Sequence, residues 1–196
     1  MLQSKKLWLL RHGEPEGGDG RIRGQSDDPL TEKGWQQLEA VVQNLVVDCV
    51  YTSPLQRCRA FAEQYAQVQQ LPWLVEPRLI EMGMGSWEGL AKKTVLAGTV
   101  DLWRYAQSPQ SQLPSDAEPF SQIEARVGSW LQEFRQCDAE RVLVVAHAGI
   151  IRFILAALLD MPIESALRIK LPFAACLSLT VQWDESRMLG QLHWSA

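Results

Sequence analysis

The chain has 196 residues, 46% hydrophobic and 21% charged, which leaves room for one domain with a sizeable core and little for a second. A formal net charge of −4 gives no global attraction to nucleic acid or to an anionic membrane, so any phosphate recognition has to be local. The longest apolar runs are strand length, not the roughly 18 residues of a membrane helix, and MLQSKKLWLL reaches Arg11 and His12 too soon for a signal peptide, so a cytoplasmic protein is expected.

In chain order, the apolar run Lys6 to Arg11 predicts a first strand. Thr31 caps a helix whose apolar positions Trp35, Leu38, Val41, Val42 and Leu45 recur at helical spacing. Val47 to Thr52 reads as a second strand. Ser53 followed by Pro54 then predicts a helix start, because serine accepts from free amides and proline suits the first helical position; the helix runs to Gln69. Trp73 to Val75 is a third strand, ended by Pro77. The segment 81–119, rich in Gly, Ser, Pro and Gln, reads as an insertion covering the site, with one helix between Leu90 and Tyr105. A helix from Phe120 to Phe134, a strand from Arg141 to Ala146, a helix from Gly149 to Leu159 and late strands at Leu177 to Trp183 and Met188 to His193 follow. Strands alternating with helices predict a three-layer α/β/α sandwich in one domain spanning 1–196. Its sheet is expected to be mostly parallel, with one antiparallel edge strand.

The four cysteines, Cys49, Cys58, Cys137 and Cys176, have neither a CxxC nor a metal-ligand spacing and read as small hydrophobes. Most of the eight tryptophans, Trp35 and Trp130 among them, fit core faces rather than a nucleic-acid stacking platform. Asp27 and Asp28 order a turn before Pro29; no third carboxylate or histidine has the spacing of a metal site, so no metal is expected.

The chemistry lies at two strand ends. KLWLLRHGE ends in Arg11, His12 and Gly13, and VLVVAHAG ends in His147 and Gly149, so two of only three histidines leave the most apolar runs. Ligands of open α/β sheets bind at the carboxyl ends of strands. A neutral imidazole there is a nucleophile toward phosphorus, and the charged phosphoryl oxygens call for arginine forks, imidazole N–H groups and helix amino ends. Arg11 is fused to His12, Arg57 lies one turn into the second helix, and Ala148 and Gly149 are small residues at a helix start. A leaving alkoxide needs a proton. Glu81, in RLIEMGMGSWEG, competes for that role with Glu14 and Glu88, both of which stand beside glycines, and spacing alone does not separate them. Arg21 and Arg23 either bind substrate or are solvated, and His193 reads as structural.

RHGE at 11–14, GQSDDPLTEKG at 24–34, SPLQRC at 53–58, EMGMGSWEG at 81–89 and VVAHAG at 144–149 occur in this order over nearly the whole chain. Together they resemble the histidine phosphatase superfamily in its phosphoglycerate-mutase-like branch; a lone RHG is a weak signal, five ordered motifs a strong one. The resemblance implies metal-independent, cofactor-free phosphomonoester hydrolysis through a phosphohistidine on His12. Arg11, Arg57 and His147 would hold the phosphoryl group and Glu81 would donate the proton. It also implies substrate contacts from Gly24, Gln25, Ser26, Gly149 and Glu118, the last resembling the glutamate of a Pro-Gly-Gly-Glu-Ser segment. The chain departs from the pattern in places. Pro15 follows Glu14 where threonine is common, Gly17 or Gly18 stands at an expected asparagine and offers a backbone amide instead, Phe61 replaces a threonine, and Asp116 and Ala117 replace two glycines.

The phosphate pocket reads only a phosphomonoester, so substrate choice falls to its cover. That cover offers Met82, Met84, Trp87, Trp103 and Tyr105 with few cations, Lys92, Lys93 and Arg104. Such a surface suits a flat benzimidazole riboside. Length, the EMGMGSWEG form of the acid segment and the tail DMPIESALRIKLPFAACLSLTVQW most resemble the α-ribazole phosphatases of cobalamin synthesis. The alternatives are a broad-specificity phosphatase, a phosphoglycerate mutase, whose Glu-Arg-His-Tyr insertion MGSWEG does not match, and a phosphate-binding module without turnover. The expected partner is a small phosphomonoester, not nucleic acid or membrane.

Overall fold

The computed structural model describes residues 3–98 and 107–193. Six strands, β1 (Gln3–Arg11), β2 (Cys49–Thr52), β3 (Trp73–Val75), β4 (Arg141–Ala146), β5 (Cys176–Trp183) and β6 (Met188–His193), form one sheet in the order β3-β2-β4-β1-β5-β6. The first four in that order are mutually parallel. β5 pairs antiparallel with β1 and β6 antiparallel with β5, so the antiparallel edge is a two-stranded hairpin. Its turn is closed by Asp184, whose Oδ1 accepts from the amides of Ser186 and Arg187.

Side chains of successive strand residues point to opposite faces. On β1 and β4 this sends Leu7, Leu9, Val142 and Val144 into one core and Leu10, Leu143 and Val145 into another, all fully buried. Both faces of these strands are covered, which is why their sequences read as continuous apolar runs. Helices α1 (Glu32–Val42) and α2 (Gln56–Gln69) cover one face, contributing Leu38, Val42, Phe61, Ala62 and Ala66. The other face is covered by α4 (Phe120–Phe134) and α5 (Ala148–Leu158), which contribute Ile123, Trp130, Phe134, Ile150 and Ile154. Each such aliphatic side chain adds about 1.5–3 kcal/mol by leaving water. Two further short helices are α3 (Lys92–Gly98) and α6 (Ile163–Ala166). The predicted helix from Leu90 to Tyr105 is represented by α3; its remainder, with Trp103, Arg104 and Tyr105, lies outside the described residues. No helix among the described residues is long and apolar enough to cross a membrane.

Thr31 caps α1, its Oγ1 accepting from the Gly34 amide at 3.0 Å. The start of α2 differs from expectation. The helix begins at Gln56, and the Gln56 amide donates at 2.6 Å to Asp27 Oδ1 from a distant loop. Ser53 is wholly buried at the exit of β2 and turns its hydroxyl toward His147, leaving only a 3.3 Å bond from the Leu55 amide as a local cap. Phe61, where the family pattern has a threonine, is core, packed on Trp35 and stacked on Tyr65. Burial pushes the Cys49 thiol up to about 11 and that of Cys176 to about 12. His193 pairs with Thr180 Oγ1 at 2.7 Å on the edge hairpin.

Candidate active site

The exits of β1, β4 and β2 stand side by side because those strands are neighbours in the sheet. His12 leaves β1 with its amide donating to Ala146 O (3.0 Å) and its carbonyl accepting from Ala174 N (3.1 Å), so its backbone is pinned from both sides. Gly13 follows because α1 packs against it: a Cβ there would lie 2.1 Å from Gly34 O. The His12 ring, 5% exposed, places Nδ1 2.7 Å from the Gly13 carbonyl. A carbonyl only accepts, so Nδ1 carries the proton and Nε2 keeps its lone pair. Burial, then the charge of Arg57, holds this imidazole well below its ordinary 6.5, in the neutral form a nucleophile needs.

His147 leaves β4 as the residue preceding α5 and is fully buried, its ring centroid 5.3 Å from that of His12. Its Nε2 lies 2.7 Å from Ser53 Oγ, and Cys58 Sγ lies 3.5 and 3.7 Å from its two nitrogens. Burial, Arg57 and His12 keep it neutral as well. Arg57, from the first turn of α2, is 1% exposed; it donates to the carbonyls of Gly24 (3.0 Å) and Ser26. Arg11 donates to Leu171 O and stacks on Phe173, its Cζ 4.3 Å from the ring centroid. The Nε atoms of both arginines are buried without a partner, and neither arginine forms an ion pair among the described residues. Burying a charge as fully as that of Arg57 costs several kcal/mol unless an anion answers it.

Glu81 reaches the same place from the loop after Leu79. Its Oε1 accepts from the Met82 amide (3.0 Å) and its Oε2 from the Gly149 amide (3.2 Å) at the start of α5. The structure separates it from its rivals. Glu14 pairs with Lys33 (2.8 Å), and Glu88 Oε1 accepts from the amides of Gln25 and Met84, fastening two loops together.

Most of these groups line one crevice of about 280 Å³. Arg11, His12, Arg57, Glu81, Gly24 and Gly149 belong to its lining; His147, fully buried with its ring centroid 5.3 Å from that of His12, does not. Arg21, Arg23, Lys92, Arg152 and Asp19 line it too, together with Ile22, Met82 and Met84. Gln25, Ser26, Trp87 and Glu118 do not. Gln25 Nε2 donates to the Glu81 carbonyl, the Ser26 carbonyl is held by Arg57, and Trp87 ends a half-buried 3-10 turn, Gly85–Trp87. Glu118 is tied to Arg126 (2.7 Å) and to the Gly83 amide. The Gly18 amide closes a turn onto Pro15 O, so it is not free for an anion, and neither Gly17 nor Gly18 lines the crevice. Of the cover's cations Lys92 lines the crevice, while Arg21, Arg23 and Arg152 join it from outside the cover, and no Phe, Tyr or Trp among the described residues lines it. Arg152 had a signal in the sequence, since it lies three residues after Gly149 and so shares its helix face. Asp28 pairs with Arg21 and Arg23, and Asp27 caps α2, which fixes the loop carrying Gly24.

A doubly covered α/β sheet whose strand exits present a neutral imidazole beside two guanidinium groups without carboxylate partners among the described residues defines an enzyme class built to act on an anionic ester. Comparison with known proteins agrees. The model of the histidine phosphatase superfamily (branch 1) matches residues 7–192. The chain belongs to that superfamily, of phosphatases and mutases, and is an enzyme of that class. It is 30% identical over 168 residues to the adenosylcobalamin/alpha-ribazole phosphatase of Escherichia coli K12, covering 82% of each chain. To phosphoserine phosphatase 1 of Hydrogenobacter thermophilus it is 31% identical over 165 residues, covering 81% of this chain and 78% of that one. Among solved structures, a mycobacterial glucosyl-3-phosphoglycerate phosphatase superposes with a TM-score of 0.85 at 25% identity, over 99% of this chain and 100% of the other. The alpha-ribazole phosphatase of Shigella flexneri gives 0.76 at 26% identity, over 97% and 96%.

Proposed function

We propose that the enzyme hydrolyses phosphomonoesters, without a metal ion, through a phosphohistidine on His12. The observation that carries this reading is the placement of His12, its Nδ1 2.7 Å from the Gly13 carbonyl, in a crevice with half-buried Arg11 and buried Arg57, neither of which has a carboxylate partner among the described residues. The substrate phosphoryl group answers those charges. His12 Nε2 attacks phosphorus, the phosphoryl oxygens are held by Arg11, Arg57 and His147, and the ester oxygen departs with a proton from Glu81. Glu81 then takes a proton from water as that water attacks the phosphohistidine, returning free imidazole and inorganic phosphate.

For the alcohol part, α-ribazole 5′-phosphate is the first candidate. Relatives named adenosylcobalamin/alpha-ribazole phosphatase support it, as does the apolar stretch of wall made by Ile22, Met82 and Met84. A second reading, a phosphomonoester carrying another anionic group, is favoured by the presence of Arg21, Arg23, Lys92 and Arg152 in the crevice lining, where Arg21 and Arg23 share the single carboxylate of Asp28 and Lys92 pairs with Asp19.

The test is turnover of p-nitrophenyl phosphate with a chelator present, with acid quenching of labelled enzyme. Sustained turnover and an acid-labile, alkali-stable phosphoenzyme are expected; loss of activity with chelator, or no phosphoenzyme, overturns the mechanism. A panel ranked by kcat/KM, containing α-ribazole 5′-phosphate, phosphoserine and 3-phosphoglycerate, then decides between the two alcohol readings.

A further inference from the structure

Ser53 stands at the exit of β2 in the same layer as His147 and His12, and its side chain has no exposure at all. Its hydroxyl meets two groups. The Leu55 amide points a hydrogen at Oγ from 3.3 Å, and an amide only donates, so that contact occupies a lone pair. His147 Nε2 is the other neighbour, at 2.7 Å. Among the described residues no other acceptor lies within hydrogen-bond reach of Oγ, so the hydroxyl proton goes to Nε2. A buried hydroxyl that withheld it would leave a donor unsatisfied.

That assignment fixes the other nitrogen of the ring. A neutral imidazole accepting at Nε2 carries its hydrogen on Nδ1. The sheet order β2-β4-β1 puts His147 between Ser53 and His12. A ring bonded to Ser53 through Nε2 therefore turns Nδ1 away from β2. Cys58 Sγ lies 3.7 Å from Nδ1 and 3.5 Å from Nε2, a soft and weak acceptor whose own thiol hydrogen points at Ala146 O (3.4 Å). Among the described residues the Nδ1 hydrogen thus has no acceptor stronger than that thiol.

We infer that Ser53 is a positioning residue that fixes His147 as the Nδ1–H tautomer, so that His147 presents a hydrogen-bond donor to the phosphoryl oxygens instead of a repelling lone pair. Ser53 does not line the crevice, and its hydroxyl meets His147, through which it acts. The role in turnover rests on the phosphatase reading above, whereas the tautomer does not.

Two measurements test it. The long-range ¹H–¹⁵N spectrum of ligand-free wild-type enzyme labelled at histidine reports which nitrogen of His147 is protonated, whatever the enzyme acts on. A protonated Nδ1 with a bare Nε2 is expected, and a protonated Nε2 overturns the inference. In Ser53→Ala, rapid-quench phosphorylation of His12 should slow by about tenfold, the scale of one hydrogen bond. KM should change less than about threefold, a split expected of an interaction realised in the transition state. Ser53→Cys, of similar shape with a weaker donor, should fall between wild type and Ser53→Ala in rate. Equal rates in all three enzymes, with the phosphoenzyme still formed, overturn the positioning role and leave the phosphohistidine mechanism standing. Absence of a phosphoenzyme in wild type rejects the mechanism instead and leaves the tautomer to the spectrum.

Discussion

The Gly149 amide and the Glu81 carboxylate share a hydrogen bond of 3.2 Å that joins the first turn of α5 to the loop after Leu79. The fit leaves no space for a side chain, since a Cβ at residue 149 would stand 2.3 Å from Glu81 Oε1. Gly149→Ala must therefore displace Glu81. Activity on alkyl phosphates should fall at least about tenfold, the cost of misplacing one proton-transfer group. A circular-dichroism melt should show the fold retained. An alanine variant with wild-type kcat would mean that Glu81 does not need this seat.

Glu81→Gln keeps the acceptor to one amide and removes the transferable proton. Esters with poorly leaving alkoxides should slow by about a hundredfold or more, while p-nitrophenyl phosphate, whose leaving group scarcely needs a proton, should lose far less. Glu88→Gln, which alters a carboxylate that bonds the Gln25 and Met84 amides, should show no such split between substrates. Equal losses on both ester types in the Glu81 variant would move the acid role elsewhere.

Replacing the nucleophile is the sharpest measurement. His12→Ala should lower kcat by at least about a thousandfold and abolish the acid-labile phosphoenzyme. Near-normal turnover in this variant would end the covalent mechanism.

His12 and His147 also make a prediction for stability. Burial, reinforced by Arg57, keeps both imidazoles well below 6.5 in the folded chain, whereas both titrate near that value once unfolded. Below pH 6.5 the unfolded state consequently binds more protons, so stability is complete above that pH and declines as the pH falls toward the folded-state values. The urea midpoint should be lower at about pH 5 than at about pH 7, and the difference should shrink in His12→Gln. A midpoint drop of the same size in that variant would assign the acid sensitivity to other groups.

Arg57 supplies a test of anion binding that needs no turnover. Inorganic phosphate that binds only the folded state should raise the wild-type melting temperature in a concentration-dependent way. Arg57→Lys keeps a charge but loses the planar fork, so the phosphate-induced shift should shrink markedly. A shift unchanged from wild type would place the anion away from Arg57.

Much of this protein is written in local pattern. The apolar runs at β1 and β4, the helical spacing of Trp35, Leu38 and Val42 behind Thr31, and the histidine at each strand exit follow from side-chain periodicity, which acts between residues a few positions apart. The family is legible for the same reason, since its motifs are short and ordered. What needed tertiary structure is every relationship between distant segments. Glu14, Glu81 and Glu88 are alike in sequence, each within two residues of a glycine. Only the fold pairs Glu14 with Lys33, gives Glu88 to the loop amides of Gln25 and Met84, and sets Glu81 on the Gly149 amide. Ser53 has the sequence signature of a helix cap, yet the fold assigns that function to Asp27 and turns the Ser53 hydroxyl to His147, 94 positions away. The ring of cations around the crevice is likewise gathered from the loop after Pro15, from α3 and from α5, which meet only in the folded molecule. Periodicity fixes which face of an element is apolar, but a hydrogen bond or a charge is satisfied by whatever the sheet order brings within about 3 Å, and the order of strands is a property of the packed whole.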